Sequence, residues 1–214
     1  MITHDLRTPL AMAIGYAELL CANYPSPLSE EQANYARSIL ENTRRAVDLI
    51  GSLSEAFAAI SGDLVLDRGW VDLSQLIREV TEELQAYLAQ RKQNLQPINE
   101  SGVRWILADK PRLAKALQLL LRFVARELPA VKVFRLHIAH TANEIDQLVL
   151  TLQATRHSSN GEEIFSRSLR QRRNRSLPIL IATAFIEAHG GRLIWPDPGA
   201  QGVIARIHLP LDPG

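Results

Sequence analysis

Over the first 61 residues the apolar side chains return at every third or fourth position, and nothing there alternates as a strand would. Leu6, Leu10, Ala13, Ala17, Leu20 and Tyr24 form one run, and Ala36, Ile39, Thr43, Ala46, Ile50, Leu53, Phe57 and Ile60 form another. Between them lies PSPLSEEQ, where Pro25 and Pro27 stop the first helix. Ser29 and Gln32 have the spacing of a capping box that opens the second, with Leu28 placed as its hydrophobic staple. Such a stripe is the seam of a coiled coil, narrower than the face of a helix lying on a sheet. A helix of about thirty residues reaches about 45 Å. Two such helices joined by a short turn make an antiparallel hairpin whose seam they cannot bury alone. A second copy completes a twofold four-helix bundle, so the pattern predicts a homodimer.

Beyond this stretch the pattern changes. Gly62 and Gly69 punctuate a link, and VDLSQLIREVTEELQAYLAQ reads as an amphipathic helix after a short strand. VRWILAD is strand-like, and a helix runs from Pro111 to about Leu128 with proline in its first turn. VKVFRLHIAHTANEIDQLVLTLQA reads as two strands around a polar turn. LPILIATAFIEAHGG is a helix ended by glycine, and RLIWPDPGAQGVIARIHLPL closes the chain as a hairpin. The expected class is α+β, with a helical hairpin over residues 1–61 and an α/β sandwich over 62–214, its helices on one face of a mixed sheet.

The bulk numbers narrow the function. At 214 residues, with 46% hydrophobic and 22% charged residues, the chain is ordinary for globular domains. A formal net charge of +1 gives no global field for nucleic acid or anionic lipid. The single cysteine, Cys21, forbids an intrachain disulfide, favours a reducing compartment and reads as a small core residue. The run PLAMAIGYAELLCA carries Glu18 and is too short to span a bilayer, so a cytoplasmic chain without direct membrane insertion is expected, alone or as the soluble end of a larger membrane protein.

Residues 4–9, HDLRTP, concentrate chemistry at a helix start. His4 and Thr8 are four apart and share a helical face, Asp5 sits beside them, and Leu6 and Leu10 point elsewhere, so the imidazole is expected to face solvent. An exposed imidazole is a competent nucleophile, and once phosphorylated it is a reactive phosphoryl donor. Asp5 can accept the other ring N–H, fixing the tautomer and raising the basicity of the attacking nitrogen. Thr8 can position a water or a phosphoryl oxygen. Pro9 cannot donate to the carbonyl of Asp5, so a bend is expected there. A helix needs turns before an active position, so a cluster starting at residue 4 points to upstream sequence cut away or never present.

The string HDLRTPL resembles the H-box of sensor histidine kinases, in the subfamily whose motif is H, an acid, L-R-T/N-P-L, and the likeness continues through AIGYAELL. The resemblance implies a dimerisation and histidine-phosphotransfer hairpin in which His4 carries the phosphoryl group and Asp5 assists, with Arg7 and Pro9 supporting. Thr8 would serve the water-dependent removal of phosphate from a partner's aspartate. The remainder resembles the family's Bergerat-type ATPase domain: LADKPRLAKALQLLL looks like the approach to its N-box, and IEAHGGRLIWPDPGAQGVIARIHLPL like its closing helix and hairpin.

The nucleotide-binding letters of that domain are missing. Where the family has asparagines in the N-box helix, one of them a Mg²⁺ ligand, this chain has Leu119 and Phe123, which offer a metal no oxygen. Where the family has an adenine-reading aspartate and two glycines, it has Ala154, Arg156 and Ser158. Ser176 and Pro178 stand at positions of the phosphate-binding glycine loop, where side chains block the close backbone approach and proline has no N–H to give. No D-x-G-x-G or G-x-G-x-G occurs anywhere.

The expectation is therefore a degenerate-kinase histidine phosphotransferase that binds no cofactor of its own, with Mg²⁺ on the partner receiver. The resemblance implies response-regulator receiver domains as partners, and a separate histidine kinase as a further source of phosphate. The alternatives are an active sensor-kinase core, a response-regulator phosphatase acting through Thr8, and a non-catalytic dimeric adaptor. RHSSNGEEIFSRSLRQRRNR reads as a solvated loop in preference to a docking patch for an acidic receiver, and only Phe165 interleaves with its arginines, which argues against nucleic acid. His137, His140 and His208 lack metal-ligand spacing and read as structural. His189 precedes two glycines at a helix end, where a histidine interacts favourably with the dipole, and Trp70, Trp105 and Trp195 read as packing residues.

Overall fold

The computed structural model describes residues 2–142, 146–154, 176–195 and 202–211, the side chains of residues 2–4 and 142 excepted. It divides into two compact units, residues 1–58 and 59–214.

The first unit is a helical hairpin. Helix α1 (Ile2–Cys21) runs through Pro9 in its interior, and α2 (Glu30–Ile60) is 31 residues long. At the end of α1, Asn23 takes a left-handed φ of 59°, its N–H reaching the Leu20 carbonyl and that of Tyr24 reaching Leu19. This closure satisfies carbonyls that the helix leaves open. The capping box forms: the Ser29 N–H donates to Gln32 Oε1 at 2.9 Å and the Gln32 N–H to Ser29 Oγ at 3.3 Å. The helices lie antiparallel, for Arg44 pairs with Glu18 at 2.6 Å and the Arg7 guanidinium lies beside Gly51. Among the described residues of the hairpin, Ala17, Ala36 and Ala56 are the buried ones. Much of the expected seam stays open, with Ile39 50% and Phe57 59% exposed. Cys21, expected in a core, is exposed.

The second unit begins with strand β1 (Gly69–Asp72), which pairs antiparallel with β3 (Trp105–Ala108) as a separate ribbon. Helix α3 (Leu73–Gln90) follows, its first turn capped by Asp72 accepting the Gln75 N–H. Strand β2 (Asn94–Asn99), helix α4 (Lys110–Glu127), strands β4 (Val133–Ala142) and β5 (Asp146–Ala154), helix α5 (Leu177–Ala188) and strands β6 (Arg192–Ile194) and β7 (Val203–Pro210) complete it. The main sheet has the order β2-β4-β5-β7-β6, parallel at β2–β4 and antiparallel elsewhere. Along its strands, buried residues such as Phe134, Leu136, Ile138, Leu148, Leu150, Leu152, Ile207 and Leu209 alternate with more open ones. One face therefore takes the helices and forms the core, as a half-solvated sheet requires.

Two features depart from expectation. Strand β2, NLQPIN, carries no strand signal: it holds Pro97 and buries only Leu95. It is tolerated because it lies at the sheet edge, where a missing ladder donor faces no neighbour. Trp70 and Trp105, expected to pack, are 72% and 48% exposed on the ribbon, and the Arg104 guanidinium stacks over the Trp105 ring at 5.2 Å. Among the described residues no helix is long and apolar enough to cross a membrane.

Candidate functional site

His4, Asp5, Arg7, Thr8 and Pro9 all fall in the first turns of α1. The helix places His4 and Thr8 one above the other, as their spacing requires. The side chain of His4 lies outside the described ones. Asp5, Arg7, Thr8 and Pro9 are exposed, and Asp5 and Thr8 are both engaged in contacts within the protein. Arg7 reaches toward α2 at Gly51, which separates it from the face shared by positions 4 and 8. Leu10 is half-buried and Leu6 is 46% exposed. Pro9 lacks an N–H, which leaves the Asp5 carbonyl without its ordinary helical donor. An acid and a hydroxyl thus stand on the turns of α1 next to position 4.

In the second unit, Leu119 and Phe123 are both buried on α4. The Phe123 ring meets Trp195 edge to face, with centroids 6.2 Å apart and planes at 80°. Arg126 lies over the same ring at 5.7 Å. A turn away, Tyr87 is held between Arg91 at 4.0 Å and Arg122 at 4.8 Å. Phenyl, indole and guanidinium groups therefore fill this surface, and none is an oxygen ligand for a cation. Helix α5 opens after Ser176 with Pro178 in its first turn; Ser176 makes no side-chain cap, and its buried Oγ has no hydrogen-bond partner among the described residues. A groove of about 650 Å³ runs along this helix past Leu177, Leu180, Thr183, Leu193 and Trp195, and its one charged liner among the described residues, Glu187, is an acid. Ala154 ends β5, where its N–H donates to the Gly202 carbonyl. Arg156, Ser158 and the arginine-rich stretch that follows lie outside the described residues.

A buried polar knot joins the start of α4 to the end of α5. His189 is 4% exposed; its Nδ1 lies 2.7 Å from the Phe185 carbonyl, and its Nε2 accepts the Asp109 N–H at 3.0 Å. That pattern requires a neutral ring protonated at Nδ1. Burial pushes the His189 pKa below the usual imidazole value, against the opposing influence of the Phe185 carbonyl and of Asp109. The ring sits inside and neutral, and it meets the helix end through Nδ1 at the Phe185 carbonyl. Asp109 is itself buried, and burial works to raise its pKa. Hydrogen bonds from the Arg112 N–H and guanidinium and from the Asp67 N–H outweigh burial and hold the carboxyl low. Arg68 donates to the Ala188 carbonyl at 3.3 Å, so residues 67 and 68 are tied to both helix ends. In the sequence His189 reads only as a residue at a helix end, and nothing there links it to the acid before α4.

Comparison with known proteins agrees with this architecture. Residues 1–57 match the His Kinase A (phospho-acceptor) domain. The histidine protein kinase DivJ of Caulobacter vibrioides is 22% identical over 217 residues, which cover 98% of this chain and 36% of DivJ. The histidine kinase AdeS of Acinetobacter baumannii superposes with a TM-score of 0.60 at 17% identity, covering 98% of both chains. Full-length ShkA, solved in complex with AMPPNP, gives 0.67 at 19% identity over 100% of this chain and 46% of its own. Residues 1–57 thus carry a phospho-acceptor domain of the His Kinase A family, and the chain is similar over its length to sensor histidine kinases, with a kinase-like ATPase fold in the second unit. It spans about a third of the length of DivJ.

Proposed function

We propose that the chain is a phosphorelay carrier: His4 takes a phosphoryl group from the aspartyl phosphate of one receiver domain and gives it to the aspartate of another, without ATP. The observation that supports this most is Phe123. At the position where a kinase of this family needs a metal-binding asparagine, a phenyl ring is packed against Trp195 beneath Arg126. Leu119 is buried one turn earlier, and Pro178 replaces an N–H donor at the start of α5. These residues do not fit Mg²⁺ with a triphosphate, which needs oxygen ligands and positioned donors.

The transfer asks little of this chain. A neutral imidazole nitrogen attacks phosphorus, a P–N bond forms, the P–O bond to the receiver's aspartate breaks, and the carboxylate leaves with the bonding pair. Asp5 accepts the second ring N–H and offsets the positive charge that develops on the ring. The Mg²⁺ that screens the phosphoryl oxygens belongs to the receiver. Reversal on a second receiver returns the imidazole.

The working unit is a homodimer. Met12, Tyr16 and Leu19 on α1 are 57%, 64% and 47% exposed at helical spacing, and Tyr35, Ile39 and Phe57 are similarly open on α2. That much apolar surface on two long helices suits a four-helix bundle with a second copy. Incubation with a receiver carrying labelled aspartyl phosphate moves label to the wild-type chain and not to His4→Ala. Absence of label on the wild type with every receiver of the organism rejects the proposal.

A further inference from the structure

We propose that the open face of the five-stranded sheet, turned away from the helices, docks an acidic protein surface through Arg135, Arg192 and Arg206. The register places these three on one face. Arg206 of β7 stands opposite Thr151 of β5, which stands opposite His137 of β4; Arg135 is two residues before His137 on the same strand. Arg192 of β6 stands opposite His208 of β7, two residues beyond Arg206. Core residues such as Leu136, Leu150 and Ile207 point the other way. At ordinary strand spacings Arg192 and Arg206 are roughly 8 Å apart, and Arg135 lies roughly 12 Å from Arg206.

Several observations point to carboxylates as the ligand. All three arginines are exposed, and among the described residues none forms an ion pair. Three unneutralised guanidiniums at such spacings repel one another, and a partner that supplies carboxylates removes that cost while gaining bidentate bonds. The acid at the rim, Glu100, is already held by His137 Nε2 at 2.8 Å. His208 reports the local field: burial first, then Arg206 and Arg192, depress its pKa. Among the described residues the rest of the face is threonine, glutamine, histidine and aliphatic residues, with no phenylalanine, tyrosine or tryptophan for a base to stack on, so a protein fits better than a nucleic acid.

Size sets the strength. The face spans about 20 by 20 Å, or about 400 Å², half of what a standard interface buries on each partner. Docking here is weak, fast and salt-sensitive, the behaviour of a surface that exchanges partners. It does not depend on whether His4 carries phosphate.

The test uses the full chain and a fluorescein-labelled peptide of alternating glutamate and serine, read by anisotropy in dilute buffer and at physiological salt. Combined Arg135→Glu, Arg192→Glu and Arg206→Glu should weaken binding about tenfold or more, while the same reversals at Arg37, Arg45 and Lys92 change it less than about twofold. Amide shifts of the unaltered chain on titration should map to β4, β5, β6 and β7, a readout independent of how the variants fold. No peptide binding in dilute buffer, equal losses in the two triple variants, or shifts confined to other elements overturn the proposal. So does a single-stranded oligonucleotide that displaces the peptide at lower concentration than unlabelled peptide does.

Discussion

At the scale of single residues the account turns on four side chains. Removing the Thr8 hydroxyl should slow loss of phosphate from a receiver while leaving transfer to His4 intact; equal losses in both assays would deny Thr8 a separate role. His189 and Asp109 carry the structural counterpart. A histidine whose native pKa lies below its unfolded value near 6.5 binds its proton more weakly when folded. Stability is therefore complete above that value and falls as pH drops through it, until the native pKa is passed. His189→Gln keeps an acceptor for the Asp109 N–H and has no proton to gain. Its melting temperature should fall less between pH 7 and 5 than that of the wild type, whereas parallel curves would contradict the buried neutral ring. Asp109→Ala strands the Asp67 N–H and the Arg112 guanidinium and should cost about 3 kcal/mol in denaturant unfolding. Phe123 is the fourth. Replacing it with alanine opens a cavity against Trp195 and should cost about 3–5 kcal/mol without creating nucleotide affinity.

At the scale of elements, the long periodic helices were legible because their pattern lasts for many turns. The proline break and the Ser29–Gln32 box appear where the sequence placed them. The box should be worth about 1 kcal/mol, so Ser29→Ala lowers the unfolding free energy by that amount. Strands β4, β5 and β7 were legible from alternation, and α5 from its apolar run and the glycines that close it. Gly191 shows why a glycine is needed there: a Cβ would stand 2.5 Å from the His208 carbonyl oxygen. Strand β2 was not legible, because an edge strand can be polar and hold Pro97 while its partner β4 supplies the pairing. The exposure of Trp70, Trp105 and Cys21 was not legible either, since hydrophobicity states what a side chain prefers and not whether the fold has room for it. The HDLRTP cluster was readable as a local string. The Phe123–Trp195 contact joins residues far apart in sequence, and only α4 folded against the end of β6 reveals it.

At the scale of the whole molecule, a phospho-acceptor hairpin is joined to a kinase-like ATPase fold in which Phe123 packs against Trp195 beneath Arg126. The hairpin leaves Met12, Tyr16, Leu19 and Ile39 open, so a charge at Ile39 should convert dimer to monomer in light scattering without loss of helicity by circular dichroism. An unchanged mass would place the contact between copies elsewhere. The central claim is that this fold no longer grips nucleotide, and calorimetric titration of the full chain with Mg-ATP tests it most directly. The account predicts no saturable heat up to millimolar nucleotide. A saturable isotherm at micromolar nucleotide, stoichiometric with the chain, would contradict it and restore an ATP-driven kinase.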